Sequence, residues 1–256
     1  MASSTRHDTE RTRLDILLTA SGTFATRARA RDAITRGSVR VNGQPVTKAG
    51  ARFSKQDVID ICDDALGYVS RAALKLKAGL DHFGFDPAGR NALDIGASTG
   101  GFTQVLLERG ARHVTAVDVG HGQMHPSLAD DSRVENLEGI NARTLPADVA
   151  GERNIGALVS DVSFISLKLA LPPALDLAAP GCFCVLLVKP QFEAGRDAIG
   201  KNGIVRNPKI GQVVADDLSQ WLSSQPNWAS LGHCPSPVEG ADGNREFLLG
   251  GMKASQ

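Results

Sequence analysis

Two groups of residues in this 256-residue chain have the types and spacing to do chemistry. The first is the run Leu93-Asp94-Ile95-Gly96-Ala97-Ser98-Thr99-Gly100-Gly101-Phe102-Thr103, which reads as a strand, a tight glycine-rich turn and the start of a helix. Glycines let the backbone pass close to a ligand, and the free amides at a helix N-terminus favour a carboxylate or phosphate. Asp118 follows 22 residues after Gly96, at the end of the next strand, where a carboxylate can accept both hydroxyls of a ribose. These features predict a site for an adenosine-containing cofactor, either a dinucleotide or S-adenosylmethionine, with Val119 beside the carboxylate and Asn141 near the adenine. A dinucleotide site wants a glycine where this chain has Ser98, whose side chain crowds the pyrophosphate. S-adenosylmethionine is therefore the preferred reading.

The second group is four polar residues far apart in the chain: Lys75, Asp161, Lys189 and Glu246. Lys75 precedes the first strand on a helix, Asp161 follows the fourth strand in Ser160-Asp161-Val162-Ser163, Lys189 follows the fifth in Val188-Lys189-Pro190, and Glu246 begins the last. Ligands of open α/β sheets bind off the carboxyl ends of the strands, so these positions are candidates for an active site. A charge after a buried strand marks solvent about as often, and it is the combination with the glycine turn that gives the set weight.

The elements that must position these groups follow from periodicity. Ser70 to Phe83 carries Leu76, Leu80 and Phe83 on one helical stripe, with Lys75 and Lys77 leaving on opposite sides. From Asn91 onward strands and helices alternate: Ala92 to Ile95, helix Gly100 to Arg109 closed by Gly110, then His113 to Asp118, with further strands at Arg133 to Leu137, Ile155 to Ser160 and Phe183 to Val188. A helix at Asn207 to Leu222 and a strand at Glu246 to Leu249 complete the pattern. Such alternation predicts an α/β fold of Rossmann-like type, an open parallel sheet covered by helices on both faces. Ahead of it, helices at Arg13 to Thr19 and Thr26 to Thr35 around a Gly22 turn, and a strand Ser38 to Val41 turning at Asn42-Gly43, form a small α+β unit. The expected domains are residues 1–64 and 65–256.

Charge is balanced overall, with 28 basic and 28 acidic residues, but not evenly spread. Between Arg11 and Lys55 ten basic residues face two acidic ones, a net of +8 that suits an anionic partner such as a nucleic-acid backbone. The apolar run Cys182 to Val188 is far too short to span a bilayer, and the N-terminal MASSTRHDTERTR lacks the apolar core of a signal peptide. A soluble cytoplasmic protein is expected, without membrane association. The four cysteines, Cys62, Cys182, Cys184 and Cys234, do not read as a disulfide framework, and neither zinc nor another metal is expected.

The string Ser70-Arg71-Ala72-Ala73-Leu74-Lys75-Leu76 resembles the S-R-A-x-x-K-L signature of FtsJ/RrmJ-type ribose methyltransferases, whose Lys-Asp-Lys-Glu tetrad falls here on Lys75, Asp161, Lys189 and Glu246. The strings Tyr68-Val69-Ser70-Arg71, Asp94 to Thr103, Asp161-Val162-Ser163-Phe164-Ile165-Ser166-Leu167 and Val188-Lys189-Pro190-Gln191-Phe192-Glu193 resemble the TlyA family more specifically. That likeness covers nearly the whole chain and implies S-adenosylmethionine-dependent 2′-O-methylation of ribosomal RNA on cytidines, with ribosomal RNA or ribosomal subunits as the partner. The front segment, through Arg13-Leu14-Asp15, Thr26-Arg27, Gly37 and Val41-Asn42-Gly43, is similar to the S4 RNA-binding domain, with Thr26-Arg27 in place of the usual Ser-Arg. RNA contacts are accordingly expected from Arg13, Arg27, Arg29, Arg31, Arg36 and Arg40.

The resemblance implies that Lys189 contacts the 2′-oxygen, as a base or as a cation, that Asp161 orients it and approaches the cofactor, and that Lys75 and Glu246 fix the ribose. The glycine-containing segment Glu193 to Arg206, with Arg196, Lys201 and Arg206, is expected to close over RNA or cofactor. Methylation of an exocyclic amine is disfavoured, because Asp161-Val162-Ser163-Phe164 stands where an Asn/Asp-Pro-Pro-aromatic motif belongs. Carbon-5 methylation needs a nucleophilic cysteine, and Cys234-Pro235 is the only suggestive pair. The competing classes are a membrane-active haemolysin, the older name attached to the family, and a non-catalytic RNA-binding protein that keeps the fold.

Overall fold

The computed structural model describes residues 11–200, 203–240 and 243–255, so the readings made for the N-terminal tail at 1–10 and for Lys201 lie outside the described residues. The chain divides into two compact units, the first ending at Leu66 and the second beginning at Gly67.

The first unit runs β1 (Thr12–Arg13), α1 (Leu14–Ala20), α2 (Arg27–Thr35), β2 (Val39–Val41), β3 (Gln44–Pro45), β4 (Arg52–Phe53) and β5 (Ile59–Ile61). Strand β1 pairs with β4, and β2 lies between β3 and β5 in an antiparallel sheet. Asn42 and Gly43 both take positive φ, 51° and 77°, the two-residue turn whose twist matches a hairpin. Helix α2 starts at Thr26, whose hydroxyl accepts the Arg29 amide. Leu14, Leu18, Phe24, Ala30, Ala33, Ile34, Val39 and Val41 form its core.

The second unit runs α3 (Ala72–Phe83), β6 (Asn91–Ile95), α4 (Gly101–Glu108), β7 (His113–Asp118), α5 (Pro126–Ala129), β8 (Val134–Glu138), β9 (Ile155–Ser160), α6 (Leu167–Ala170), α7 (Pro172–Leu177), β10 (Ala178–Val188), α8 (Pro190–Glu193), α9 (Pro208–Ser223), β11 (Trp228–Pro235) and β12 (Phe247–Lys253). Among the described residues seven strands make one sheet in the order β11-β12-β10-β9-β6-β7-β8. Alternate side chains go to opposite faces. Leu93, Ile95, Leu186 and Val188 meet Leu167, Leu171, Leu218 and Leu222 on one side, while Ala92, Val185 and Leu187 meet Leu76, Leu80, Phe102 and Leu106 on the other. Burial on both faces explains the unbroken apolar run on β10.

The sheet is mixed rather than parallel throughout, which corrects the sequence expectation. Strand β12 runs antiparallel to both β10 and β11. No helix separates β11 from β12, and neighbouring strands joined without a crossover must be antiparallel. This reversal matters for the site. In a parallel last strand the residue just before it would lie at the far edge, whereas here Glu246 immediately precedes β12 at the edge where the parallel strands end. No helix among the described residues is long and apolar enough to cross a membrane.

Candidate active site

The glycine turn leaves β6 and crosses directly over the end of β9. A Cβ on Gly96 would lie 2.9 Å from the Asp161 carbonyl oxygen and 3.0 Å from the Val162 amide nitrogen, and its φ of +84° is one that favours glycine. The turn amides of Gly96 and Ala97 bond back to the Val117 carbonyl, and the Ser98 amide donates to Asp118 Oδ2 at 2.8 Å. The other Asp118 oxygen accepts the Gly120 amide at 2.7 Å, so the carboxylate is fixed by two backbone donors and keeps lone pairs for a ribose.

A cleft of about 450 Å³ opens beside this turn, lined by Gly96, Ser98, Asp118, Val119, Asn141 and Phe164 among others. Its apolar wall includes Ile95, Val117, Val162 and Ile165. A smaller cleft of about 150 Å³ adjoins it through shared Gly96, Ser98, Asp161 and Ser163, and is closed by Ala97, Thr99, Gly101, Phe102 and Lys189. Of the residues expected to touch cofactor, Asp94, Gly100 and Thr103 line neither cleft. Asp94 is fully buried beneath the turn, accepts the Thr103 hydroxyl at 2.7 Å, and leaves its other oxygen without a hydrogen bond. Burial pushes its carboxyl up to about 7, with the Thr103 bond opposing and the charge of Asp161 adding to the rise. Gly100 gives its space to Leu128 instead of a ligand. The Asn141 side chain also accepts the Arg143 amide at 3.0 Å, which holds the residue at the cleft wall.

The four polar residues come together as two ion pairs. Lys189 Nζ lies 2.5 Å from Asp161 Oδ1 and donates to Ser163 Oγ at 2.7 Å. The Asp161 contact is a charge contact without hydrogen-bond alignment, and Oδ1 has no other partner. Lys75 Nζ donates to Glu246 Oε2 at 2.5 Å, with side chains only 9% and 2% exposed. Helix α3 reaches β12 because Gly79 lets it close on Val185 and Leu248, whose nearest atoms would stand 2.7 Å and 3.6 Å from an added Cβ. The ladder pairs Val188 with Phe247, so Lys189 and Glu246 follow on adjacent strands. Burial raises the Glu246 carboxyl, Lys75 opposes the rise, and the charges of Lys189 and Asp161 also act on it, which places both pairs in one electrostatic unit.

Sequence reasoning passed over Ser163, Phe164 and Glu193 as individuals. They lie within strings that carried a family likeness, but no spacing rule singled them out. Phe164 is 90% exposed with a φ of +66°, a costly backbone state for a bulky residue, and its ring sits 5.1 Å from that of Phe192. Among the described residues the segment from Glu193 onward contains an isolated bridge, between Ile199 and Val205, and the buried Asn244 side chain holds it by accepting the Val205 amide and donating to the Gly203 carbonyl. Cys234 lies on β11 with its thiol pushed up by burial, the opposite of what a nucleophile needs.

In the first unit the six arginines expected to contact RNA divide. Arg13 and Arg27 both donate to the fully buried Asp15, whose carboxyl they hold well below its ordinary range, the Arg13 bonds weighing most. Arg36 bonds Asp32 and Asp63, and Arg29 donates to the Ala65 carbonyl. Arg31 and Arg40 are exposed. Because the unit extends to Leu66, Asp57, Asp60, Asp63 and Asp64 belong to it, and the net charge of residues 11–66 is +4 rather than the +8 read over the shorter window.

Comparison with known proteins agrees with this geometry. Residues 68–253 match the model of FtsJ-like methyltransferases, and residues 12–59 match the S4 domain. A Mycobacterium tuberculosis 16S/23S rRNA (cytidine-2′-O)-methyltransferase, TlyA, is 40% identical over 93% of this chain and 89% of its own length. Hemolysin A of Brachyspira hyodysenteriae is 37% identical over 92% of this chain and 98% of its own. A solved structure of a hemolysin-named Streptococcus thermophilus protein superposes with a TM-score of 0.75 at 38% identity, covering 96% of this chain and 90% of that one. The chain thus belongs to the FtsJ-like methyltransferase family, in its TlyA branch with an S4 domain at the front.

Proposed function

We propose that this protein transfers a methyl group from S-adenosylmethionine to the 2′-hydroxyl of a cytidine ribose in ribosomal RNA, a substrate that sets its work in the cytoplasm. The observation that carries the reading is the meeting of the Lys189–Asp161 pair with the glycine turn in one cleft, with Lys75–Glu246 charge-coupled behind it. The residues present fit the cofactor. Asp118 offers a fixed carboxylate to ribose hydroxyls, the Ile95–Val117–Val162–Ile165 wall offers apolar cover to a base, and Gly96 and Gly101 let the turn that lines both sides of the cleft pack against Asp161–Val162 and Ser70–Ala73, where an added Cβ would clash. When bound, S-adenosylmethionine supplies an electrophilic sulfonium methyl.

The chain's own residues must then place the hydroxyl in line and stabilise the charge it develops as its proton passes to solvent water. Lys189, the ammonium half of a pair at the cleft, stabilises negative charge on the 2′-oxygen. Asp161 and Ser163 hold that ammonium in place from the neighbouring strand end. Lys75 and Glu246, nearly removed from water, line neither cleft as it stands and bond to each other, and they are the pair proposed to offer a donor and an acceptor to the ribose when RNA is bound. The S4 unit adds affinity for the RNA backbone through its exposed arginines, Arg31 and Arg40 above all.

Replacing Lys189 by Ala tests the reading. Transfer should fall by more than about a hundredfold, the scale of losing one stabilising donor, while calorimetry should find cofactor affinity within about threefold of wild type. Turnover near that of wild type would remove Lys189 from the chemistry.

A further inference from the structure

The two strand ends that carry Asp161 and Lys189 are joined by more than the ion pair between them. Helix α8 follows Lys189 directly, and its last residue, Glu193, turns back onto the segment after β9. Glu193 Oε2 accepts the Ser166 hydroxyl at 2.6 Å, and Oε1 accepts the Leu167 amide at 2.8 Å. Ser166 is the cap of α6, so one carboxylate closes both the free amide and the capping hydroxyl at the point where the segment ends. Next to it the Phe164 and Phe192 rings meet, again one from each segment. Residues 161–167 are thereby tied to residues 189–193 at four places: Asp161 to Lys189, Ser163 to Lys189, Phe164 to Phe192, and Ser166–Leu167 to Glu193.

Glu193 itself lines neither cleft and is buried enough that desolvation raises its carboxyl against the pull of these hydrogen bonds. Helix α8 is seated by Pro190 against Gly211 of α9, which also meets Phe247 at the start of β12. The anchor therefore belongs to the packed body of the sheet. The tethered segment includes an exposed Phe164 in a conformation that surrounding contacts must enforce.

We infer that Glu193 is a positioning residue: it clamps the Asp161–Leu167 segment so that Asp161 and Ser163 hold Lys189 in the orientation that methyl transfer requires. The inference rests on the functional reading given above. Misplacement of a reacting group by about 1 Å costs roughly a hundredfold in rate, so loss of the clamp should act on kcat.

The experiment compares Glu193→Ala with Glu193→Gln in the full chain. Gln keeps an acceptor for the Leu167 amide and a group that can bond the Ser166 hydroxyl, so it should rescue. In the Ala variant kcat should fall by roughly ten- to a hundredfold, with KM for ribosomal RNA and Kd for S-adenosylmethionine within about threefold of wild type, and Gln should restore kcat to within about threefold. Amide hydrogen exchange over residues 161–167, read on the same proteins without substrate, should quicken in Ala and return in Gln. If Ala turns over like wild type, if Ala and Gln lose activity equally, or if exchange is unchanged, the clamp is overturned. Should the Ala variant melt below the assay temperature, Ser166→Ala, which removes one of the two bonds, decides. A several-fold fall in kcat supports the clamp and wild-type kcat overturns it. Faster exchange in Ala combined with a wild-type protein that leaves ribose unmethylated would support the clamp and count against the functional reading alone.

Discussion

Asp94 offers a perturbation whose size follows from its surroundings. The carboxyl is fully buried below the glycine turn, has one hydroxyl donor, and is pushed by burial to about 7, against an ordinary value of 3.8. Between those two values the folded chain holds a proton that the unfolded chain has released. Stability must therefore fall as pH rises through this window, by about 1.4 kcal/mol per pH unit until the folded group ionises. Integrated from pH 5 to pH 8 the loss is about 2.5 kcal/mol. Asp94→Asn keeps an acceptor for the Thr103 hydroxyl and removes the ionisation, so the variant should lack this component. The assay is urea unfolding followed by tryptophan fluorescence, which reads the second unit alone because both tryptophans, Trp221 and Trp228, lie in it. Relative to the variant, the wild-type midpoint should drop by about 1 M urea between pH 5 and pH 8. Taking the difference removes other titrating groups such as Glu193 and Glu246. Parallel pH dependence in the two proteins would refute the reasoning and place the Asp94 carboxyl in the ordinary range.

Removing Glu246 leaves the Lys75 ammonium buried without a counter-charge, so Glu246→Ala should cost about 3 kcal/mol and lower the melting temperature by roughly 6–12 °C, with the Lys75→Met, Glu246→Leu pair recovering most of it. A single variant melting within about 2 °C of wild type would contradict the burial argument. Arg31 is exposed one helical turn from Arg27 and has no ion pair among the described residues, so Arg31→Ala should weaken RNA binding and shrink the slope of log affinity against log salt by about 1. An unchanged slope would remove Arg31 from the phosphate contacts.

What the sequence revealed and what it hid divide along physical lines. The glycine turn, its flanking strands and the helix bearing Lys75 are local features, written in residue type and period, and they stand within a residue or two of where periodicity put them. Strand β11 was missed because it is an edge strand with half-exposed side chains, an interior Gly232 and a terminal Pro235, so it has neither an apolar run nor clean alternation. Helices α6 and α7 are four and six residues long, too short for a 3.6-residue period to declare itself. The direction of β12 depends on which strand it neighbours, information that no window of sequence holds. Without that direction Glu246 could be named but not brought to the right edge. The arginine patch was overread for a similar reason: Asp63 pairs with Arg36 from beyond the counting window. The hydrogen bonds of Glu193 run to Ser166 and Leu167, more than twenty positions away, where no local pattern could point to them.

The most direct test of the central claim is to incubate the protein with labelled S-adenosylmethionine and unmodified ribosomal subunits, digest the RNA to nucleosides and identify the labelled product by mass spectrometry. The account predicts that label appears in 2′-O-methylcytidine and vanishes with Lys189→Ala. Label on a base carbon or an exocyclic amine, or undiminished ribose label in the Lys189 variant, would contradict it.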